Sequence, residues 1–550
     1  MLRRFCTGAL AALLLLSAAP LPARAAFSDV QGHWAAEVIE QAEGYGLMEG
    51  YPDGTFGAED EITRGQFVTV LCRMFGWDLV APEAPSYIDC APDTWYYSAV
   101  ETARAHDVMD PAGAFRPEDY ISRGEMAVML VRALGYGELA EGLENPDLPF
   151  DDVTEDAGYI DVAYRIGMVN GVAGPNGSLR FLPSYSATRS EAAAMLVRVY
   201  ERYQSKTEWL HGFYAFSSYS QISLTAEMDA VSVGWARLEL DGSGAPVLNS
   251  TPANGNDWVR PDDVTPATGY WAEEGVPYNL NVYAYDGKGE YAAGEEPSVV
   301  DAAVTTAEGR AAAVAALAAA AADYSGLTID FEGLKGADTR DGFVAFLSEL
   351  RAALPADKTL YVCVQPDTWY DGYDYRGIGQ AADRVILMAH DYQWTSVPES
   401  YVGTANTDSP VTPFPQIYQA LADITHPDTG VADVSKVALA ISFGTAGFHV
   451  DEEGRLLETT IYHPAVSTLT ARLGQPDTVV TYSEEYRNPC AAYTTEDGGR
   501  YLMWYENEQS VLDKLQLARM FGVTGVSLWR LGNIPAAPGY DVWTAVTSTR

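Results

Sequence analysis

Cysteine is scarce in this chain, with five residues in 550, and Cys6 sits at the extreme N-terminus. So few thiols cannot build a disulfide scaffold at this length, although Cys72 and Cys90 stand close enough in sequence to pair. Seven scattered histidines, no Cys-x-x-Cys and no His-rich cluster give no support to a metal site, and no organic cofactor is implied. Positive charge is also short. Lys and Arg number 34 against 76 Asp and Glu, a formal charge of −42, which excludes nucleic-acid or anionic-membrane binding driven by bulk charge. Long apolar runs are confined to the N-terminus: the Ala-rich stretch from Ala311 to Ala322 is too short to span a bilayer and suits a closely packed helix.

Residues 1–25 combine Arg3 and Arg4, an apolar run from Ala9 to Ala19, and the small-x-small triplet Ala23-Arg24-Ala25. That pattern reads as a secretory signal peptide, and its apolar run is short for the rival reading, an uncleaved anchor. Cleavage would remove Cys6 and three arginines, leaving 31 basic residues against 76 acidic ones and no transmembrane anchor. A secreted, still more acidic product is expected.

What the chain does contain is length and apolar content, 47% hydrophobic, enough for several cores. Before residue 205 one pattern occurs three times. Its first copy runs through Asp29, Trp34, Gly50-Tyr51-Pro52-Asp53-Gly54-Thr55-Phe56 and Thr63-Arg64-Gly65. The second has Asp89, Trp95, Ala112-Gly113-Ala114-Phe115 and Ser122-Arg123-Gly124-Glu125. The third has Asp152, Tyr159, Gly174-Pro175-Asn176-Gly177 and Thr188-Arg189-Ser190-Glu191. The equivalent Asp residues are 60 and 63 positions apart, the period of a repeated supersecondary unit. Each copy places a Thr or Ser to cap a helix that opens with Arg. Each is too small to bury a core alone, so three are expected to share one.

These segments resemble S-layer homology repeats, marked by the Asp-Val entry, the Trp, the Gly-rich turn and the Thr-Arg helix start. The resemblance implies a compact helical domain of three repeats, 26–80, 85–140 and 148–203, that binds a secondary cell-wall polysaccharide. It makes Arg64, Arg123, Arg189, Asp29, Asp89, Asp152, Trp34 and Trp95 candidate polymer contacts. Arg is apt for an acidic sugar substituent because its planar fork meets a carboxylate bidentately. The alternative is that the two Trp residues are core and the arginines tie repeats together.

After a polar junction near Gln204 to Thr207, short apolar runs alternate with helical segments: Leu210–Phe216, Ala230–Trp235, Tyr278–Tyr285, Gly326–Phe331, Leu360–Gln365, Val385–His390, Val437–Phe443 and Gly525–Leu531. Eight such runs over residues 206–550 predict an α/β domain, a (β/α)8 barrel with inserted loops, over a doubly wound sheet. The fourth run, Gly326-Leu327-Thr328-Ile329-Asp330-Phe331-Glu332, places Thr328, Asp330 and Glu332 on one strand face and the large apolar side chains on the other. If the apolar set meets the helices, both carboxylates point into the barrel mouth. Their mutual repulsion raises one proton affinity and suits Glu332 to be a general acid. The same pair could instead serve only in an ion pair.

This segment resembles the Asp-Gly-x-x-x-Asp-x-Glu signature of glycoside hydrolase family 18. The runs around Met388 and Asp391 and around Trp529 resemble the branch related to spore-cortex N-acetylglucosaminidases. The resemblance implies substrate-assisted, retaining hydrolysis: Glu332 protonates the glycosidic oxygen, Asp330 orients the 2-acetamido group, Asp391 and His390 support that group, and Trp529 floors the sugar pocket. Thr328, Gln365 and Tyr283 are candidate substrate contacts, with Asp367, Trp369 and Tyr285 nearby. Three positions depart from the signature: Ser325 and Thr328 replace acidic or amide positions, and His390 stands in place of a Tyr. Thr328 can still hydrogen-bond Asp330, and His390 can still donate to an acetamido oxygen.

The combined reading is a secreted, wall-attached hydrolase at a bacterial cell surface. It would cleave β-1,4 bonds of N-acetylglucosamine-containing glycans, peptidoglycan before chitin. The rival is a glycan-binding or surface-layer protein whose barrel has lost catalysis.

Overall fold

The computed structural model describes residues 27–110, 113–174, 177–215, 218–285 and 298–550. The expected signal peptide, with Ala112, Pro175, Asn176 and Phe216, lies outside the described residues. The chain divides into two compact units. One comprises the described residues up to Leu134 with Pro149–Asp156 and Gly171–Arg198; the other comprises Gly135–Leu148, Ala157–Asn170 and Val199–Arg550.

In the first unit the caps form where the sequence places them. Thr63 and Ser122 each close a reciprocal capping box, with Gln66 and Glu125, at the starts of helices Arg64–Phe75 and Arg123–Ala133. Thr188 and Glu191 exchange the same pair of bonds before Arg189–Gln204. The three copies then close on one another in a ring. Ile62 N–H donates to Ala187 C=O, Ile121 to Ile62 and Ala187 to Ile121, each at 3.0 Å.

The repeat arginines follow that ring. Arg64 Nε donates to Phe115 C=O at 2.8 Å, Arg123 Nε to Phe181 C=O at 2.9 Å and Arg189 Nε to Phe56 C=O at 2.9 Å. Each guanidinium also lies over the ring of the Phe whose carbonyl it holds. Asp29, Asp89 and Asp152 act within their own copies, accepting from the backbone amides of Phe56 and Gly57, Phe115 and Arg116, and Phe181 and Leu182. Burial alone pushes the Asp29 and Asp89 carboxyls up, but these amides outweigh it and hold both below the usual range. Cys72 and Cys90 are free thiols.

The second unit is built on eight parallel strands: β1 (Trp209–Tyr214), β2 (Ala230–Leu240), β3 (Tyr278–Tyr285), β4 (Gly326–Glu332), β5 (Thr359–Val364), β6 (Arg384–Leu387), β7 (Val437–Ser442) and β8 (Gly525–Trp529). Each pairs with the next, and β8 pairs with β1, so the sheet closes into a (β/α)8 barrel. Closure excludes the doubly wound alternative. Leu327, Ile329 and Phe331 are fully buried, and Phe331 packs on Phe343 and Phe346 of helix Ala337–Ala353, with ring centroids 5.9 and 5.6 Å away. The acids of β4 therefore face inward.

Between β7 and β8 lies a five-stranded antiparallel sheet that the apolar runs do not announce, formed by Ala446–Val450, Leu456–Tyr462, Val479–Ser483, Asn488–Thr494 and Arg500–Trp504. It is tied to helix Glu508–Met520 by a fully buried ion pair in which Lys514 Nζ meets both Glu506 oxygens at 2.7 and 2.9 Å. The helix Ala157–Arg165, from the third repeat, packs with this unit: Tyr418 donates its hydroxyl to Asp161 at 2.8 Å. Among the described residues no helix is long and apolar enough to cross a membrane.

Arg64→Ala should destabilise the first unit by about 2 kcal/mol, because it orphans a carbonyl and removes a buried charge-assisted contact. Its urea unfolding transition should shift accordingly; a loss below about 0.5 kcal/mol, the range of surface substitutions, would contradict a structural role for this arginine.

Candidate active site

Alternation along the barrel strands stacks inward-facing side chains in layers. One layer is polar and wholly enclosed. His211 on β1 bonds Ser232 on β2 through Nε2 and Ser527 on β8 through Nδ1, each at 2.8 Å, and Ser232 bonds Thr328 on β4 at 2.6 Å. Burial pushes the His211 imidazole down to about 3, so the layer is uncharged at neutral pH. Thr328 has no exposed surface. The expectations that it contacts substrate and bonds Asp330 are therefore corrected: two residues below Asp330 on the same face, its hydroxyl meets Ser232 across the barrel. Ser325 lies just before the start of β4, where its hydroxyl accepts from Tyr278 N–H, well away from the mouth.

Above this layer stand the two acids. Asp330 is 2% exposed and accepts from Asn281 Nδ2 on β3 at 3.2 Å. Burial raises its carboxyl to about 6, against opposing hydrogen bonds from Asn281 and the Cys363 thiol and the nearby His390. Glu332, at the strand's end, is pushed well above the usual carboxylate range by burial and by the charges of Asp330 and Asp391. Asp391 behaves in the opposite way. Burial pushes it up, but His390, bonded Nδ1 to Oδ2 at 2.9 Å, and His463 outweigh this and hold it low. A protonatable Glu332 opposite an ionised Asp391 is the divergence that assigns acid and anion roles.

Gln365 turns its amide oxygen to Gly333 N–H at 2.6 Å and to the Tyr373 hydroxyl at 3.3 Å. Its visible work is to hold the turn behind Glu332 rather than to offer that oxygen to substrate. The Tyr373 hydroxyl also donates to Phe331 C=O at 2.7 Å.

An aromatic wall rises on the β8–β1–β2–β3 side. Trp529 meets Phe213 edge to face at 5.2 Å. Trp258, from the segment after β2, lies 6.2 Å from Trp529 and stacks on Tyr283 at 4.8 Å with an 11° interplanar angle. A Cβ at Gly234 would stand 2.8 Å from the Trp258 ring, so only glycine admits it. Asn256, 3% exposed, pins the segment by donating to three backbone carbonyls and accepting from Trp258 N–H. Trp258, Asn281, Cys363 and His463 are absent from the sequence-based candidates. Asn281 and Cys363 share the inward phase of Tyr283 and Tyr361 and are findable by alternation; Trp258 and His463 lie in segments with no periodic signal.

The polymer-binding candidates separate into two sets. Trp34 and Trp95 are 65% and 61% exposed, so the reading that places them in the core is overturned. Arg64, Arg123 and Arg189 are engaged in the contacts described above, which fits the tie between repeats, whereas Asp29, Asp89 and Asp152 bond backbone amides within their own copies. Tyr159, in the third copy, is 5% exposed and donates its hydroxyl to Glu141.

A raised carboxyl affinity means the native state holds protons more tightly than the unfolded chain. Stability therefore falls as pH rises from the unfolded carboxylate range through about 6, the value at Asp330. Glu332→Gln should accordingly melt about 3 °C higher than wild type at pH 7, with the gap closing at pH 4. A lower melting temperature at both pH values would contradict the desolvated acid.

Residues 298–533 match the family Glycosyl hydrolases family 18, and residues 26–68 and 89–127 match the S-layer homology domain. YdhD of Bacillus subtilis (strain 168) is 27% identical over 216 residues, 38% of this chain and 47% of that protein. The cortical fragment-lytic enzyme of Bacillus anthracis is 24% identical over 211 residues, 37% of this chain and 45% of that protein. The chain thus spans less than half the length of either relative. A solved chitinase from Chromobacterium violaceum ATCC 12472 is 23% identical with a TM-score of 0.48, covering 62% of this chain and 98% of that one. The chain accordingly carries S-layer homology repeats followed by a domain of glycosyl hydrolase family 18.

Proposed function

We propose that this protein is a secreted, wall-attached glycoside hydrolase that cleaves β-1,4 bonds of N-acetylglucosamine-containing glycans with retention, peptidoglycan before chitin. The observation that carries the chemistry is the β4 pair: two inward carboxyl groups at the barrel mouth, the outer one holding its proton well above the usual range. A protonated Glu332 donates to the glycosidic oxygen as the bond to the anomeric carbon breaks. Asp330 orients the substrate's 2-acetamido group, whose carbonyl oxygen attacks that carbon to give an oxazolinium intermediate. Glu332, now ionised, takes a proton from the water that opens the intermediate. Asp391 and His390 border the acetamido position, and Trp529 offers an aromatic face to the pyranose ring.

Family membership of the domain and the S-layer homology repeats support this reading, and the Bacillus anthracis relative is named a cortical fragment-lytic enzyme. Attachment to a secondary cell-wall polysaccharide would rest on the exposed Trp34 and Trp95, with the arginines and aspartates of the repeats shaping the surface beside them. Such local recognition is compatible with the acidic whole.

The test is release of reducing ends from purified peptidoglycan and from chitin oligomers by the full chain, beside Glu332→Gln, with retention on wall sacs followed in parallel. The expected result is release by wild type, a rate about 10³-fold lower for Glu332→Gln, and sac retention lost in a Trp34→Ala/Trp95→Ala double variant. Release unaffected by Glu332→Gln would overturn the acid assignment, and equal retention on sacs stripped of polysaccharide would overturn the anchoring.

A further inference from the structure

Glu332 divides the barrel mouth into two sides. Around the β8–β1–β2–β3 arc stand Trp529, Trp258 and Tyr283, the wall of the sugar pocket. On the β4–β5–β6 arc stands a second group of different chemistry. Trp369, after β5, is 45% exposed and contacts Tyr392, after β6, at 4.6 Å. Lys335, three residues beyond Glu332, is exposed and holds its ammonium 5.3 Å from the centre of the Tyr370 ring. Tyr370 itself lies close enough to the acid that the Glu332 charge, after burial, raises its phenol.

These side chains stand on loops that are fastened together. Gly372 N–H donates to Leu334 C=O at 3.1 Å, Gly336 N–H to Asp371 Oδ1 at 2.8 Å and Gly333 N–H to Gln365 Oε1 at 2.6 Å. Asp371 is thereby turned onto a backbone amide, and the other rim acid, Asp367, has its carboxyl raised by burial and by Asp371. An exposed indole and an ammonium thus stand on a fixed rim beside the acid, on strand ends other than those that carry the aromatic wall.

We infer that Lys335, Trp369, Tyr370 and Tyr392 form an aglycone subsite for a saccharide that carries a carboxylate. Trp369 stacks on the pyranose ring, and the Lys335 ammonium, held over Tyr370, pairs with the acid group. A neutral N-acetylglucosamine unit satisfies only the stacking half of this site. A lactyl-substituted unit of peptidoglycan satisfies both halves where its carboxylate is free of stem peptide. In a chain of net charge −42, a cation fixed at this rim also lowers the local barrier to an anionic glycan. The assignment deepens the glycosidase reading above and rests on it.

The experiment measures kcat and KM of the full chain on two soluble substrates: N-acetylglucosamine oligomers, and peptidoglycan glycan strands freed of peptide so that the lactyl carboxylate is exposed. Lys335→Met should reduce the ratio of kcat/KM for the carboxylated over the neutral glycan about tenfold, through KM, while Lys335→Arg retains most of it. Raising ionic strength should erode the wild-type preference and leave that of Lys335→Met unchanged. Equal losses on both substrates, or a ratio unchanged within about twofold, would overturn the subsite while leaving the enzyme reading intact. A wild type that cleaves neither substrate would overturn the enzyme reading and the subsite together.

Discussion

Removing two carboxyl groups from water on one face of one strand is costly, and the arrangement of the barrel follows from how that cost is met. Asp330 is not neutralised by a cation. It keeps hydrogen bonds from Asn281 and from the neutral Cys363 thiol. The layer beneath is uncharged, because burial strips His211 of its proton, so that layer supplies no charge to relieve the pair. The consequence is a Glu332 carboxyl whose proton affinity lies well above the usual carboxylate range, the property the proposed general acid requires. A site of this kind lowers stability in exchange for reactivity, and the rigid supports around it are the counterpart: Gln365 and Tyr373 behind the turn, Phe331 locked between Phe343 and Phe346, and Asn256 fastening the segment that carries Trp258.

The repeats solve a different problem with opposite means. Each is too short to enclose a core, and the three close into a ring in which every arginine crosses to the next copy's carbonyl and aromatic ring. Charge is used there as a joint. The two exposed tryptophans are left to face outward, while the third copy buries its Tyr159, and its helix Ala157–Arg165 packs with the barrel unit through Asp161. Repetition in sequence has thus been turned to unequal uses.

Much of this was legible in the residues. All eight strands coincide with apolar runs, because parallel strands buried on both faces must be apolar, and alternation alone placed Leu327, Ile329 and Phe331 outward and the acids inward. The Thr and Ser caps before Arg64, Arg123 and Arg189 were equally readable. The inserted sheet was not, because strands such as Val479–Ser483 are exposed and mixed in polarity. Thr328 lies too near Asp330 in sequence to reach it: residues two apart on a strand stand about 6.6 Å apart, and its hydroxyl instead meets Ser232 on β2, across the barrel interior and past β3. For the arginines the sequence leaves two readings, sugar contact and tie between repeats, and their position at helix starts between copies engages them in the ring. Trp258 and His463 reach the mouth from segments whose path only the folded chain defines.

The acidic composition is consistent with glycan work once charge is considered locally. Net charge constrains long-range attraction, whereas the mouth is governed by a few fixed groups within hydrogen-bonding distance. The central claim is that the substrate's own acetamido group, held by Asp330, serves as nucleophile beside a protonated Glu332. Proton NMR of the product at the first turnovers tests it most directly. The account predicts that the β-anomer appears first and then mutarotates, and that an oligomer lacking the 2-acetamido carbonyl at the scissile unit is not cleaved. First appearance of the α-anomer, or cleavage of the substrate without that carbonyl at a comparable rate, would contradict it.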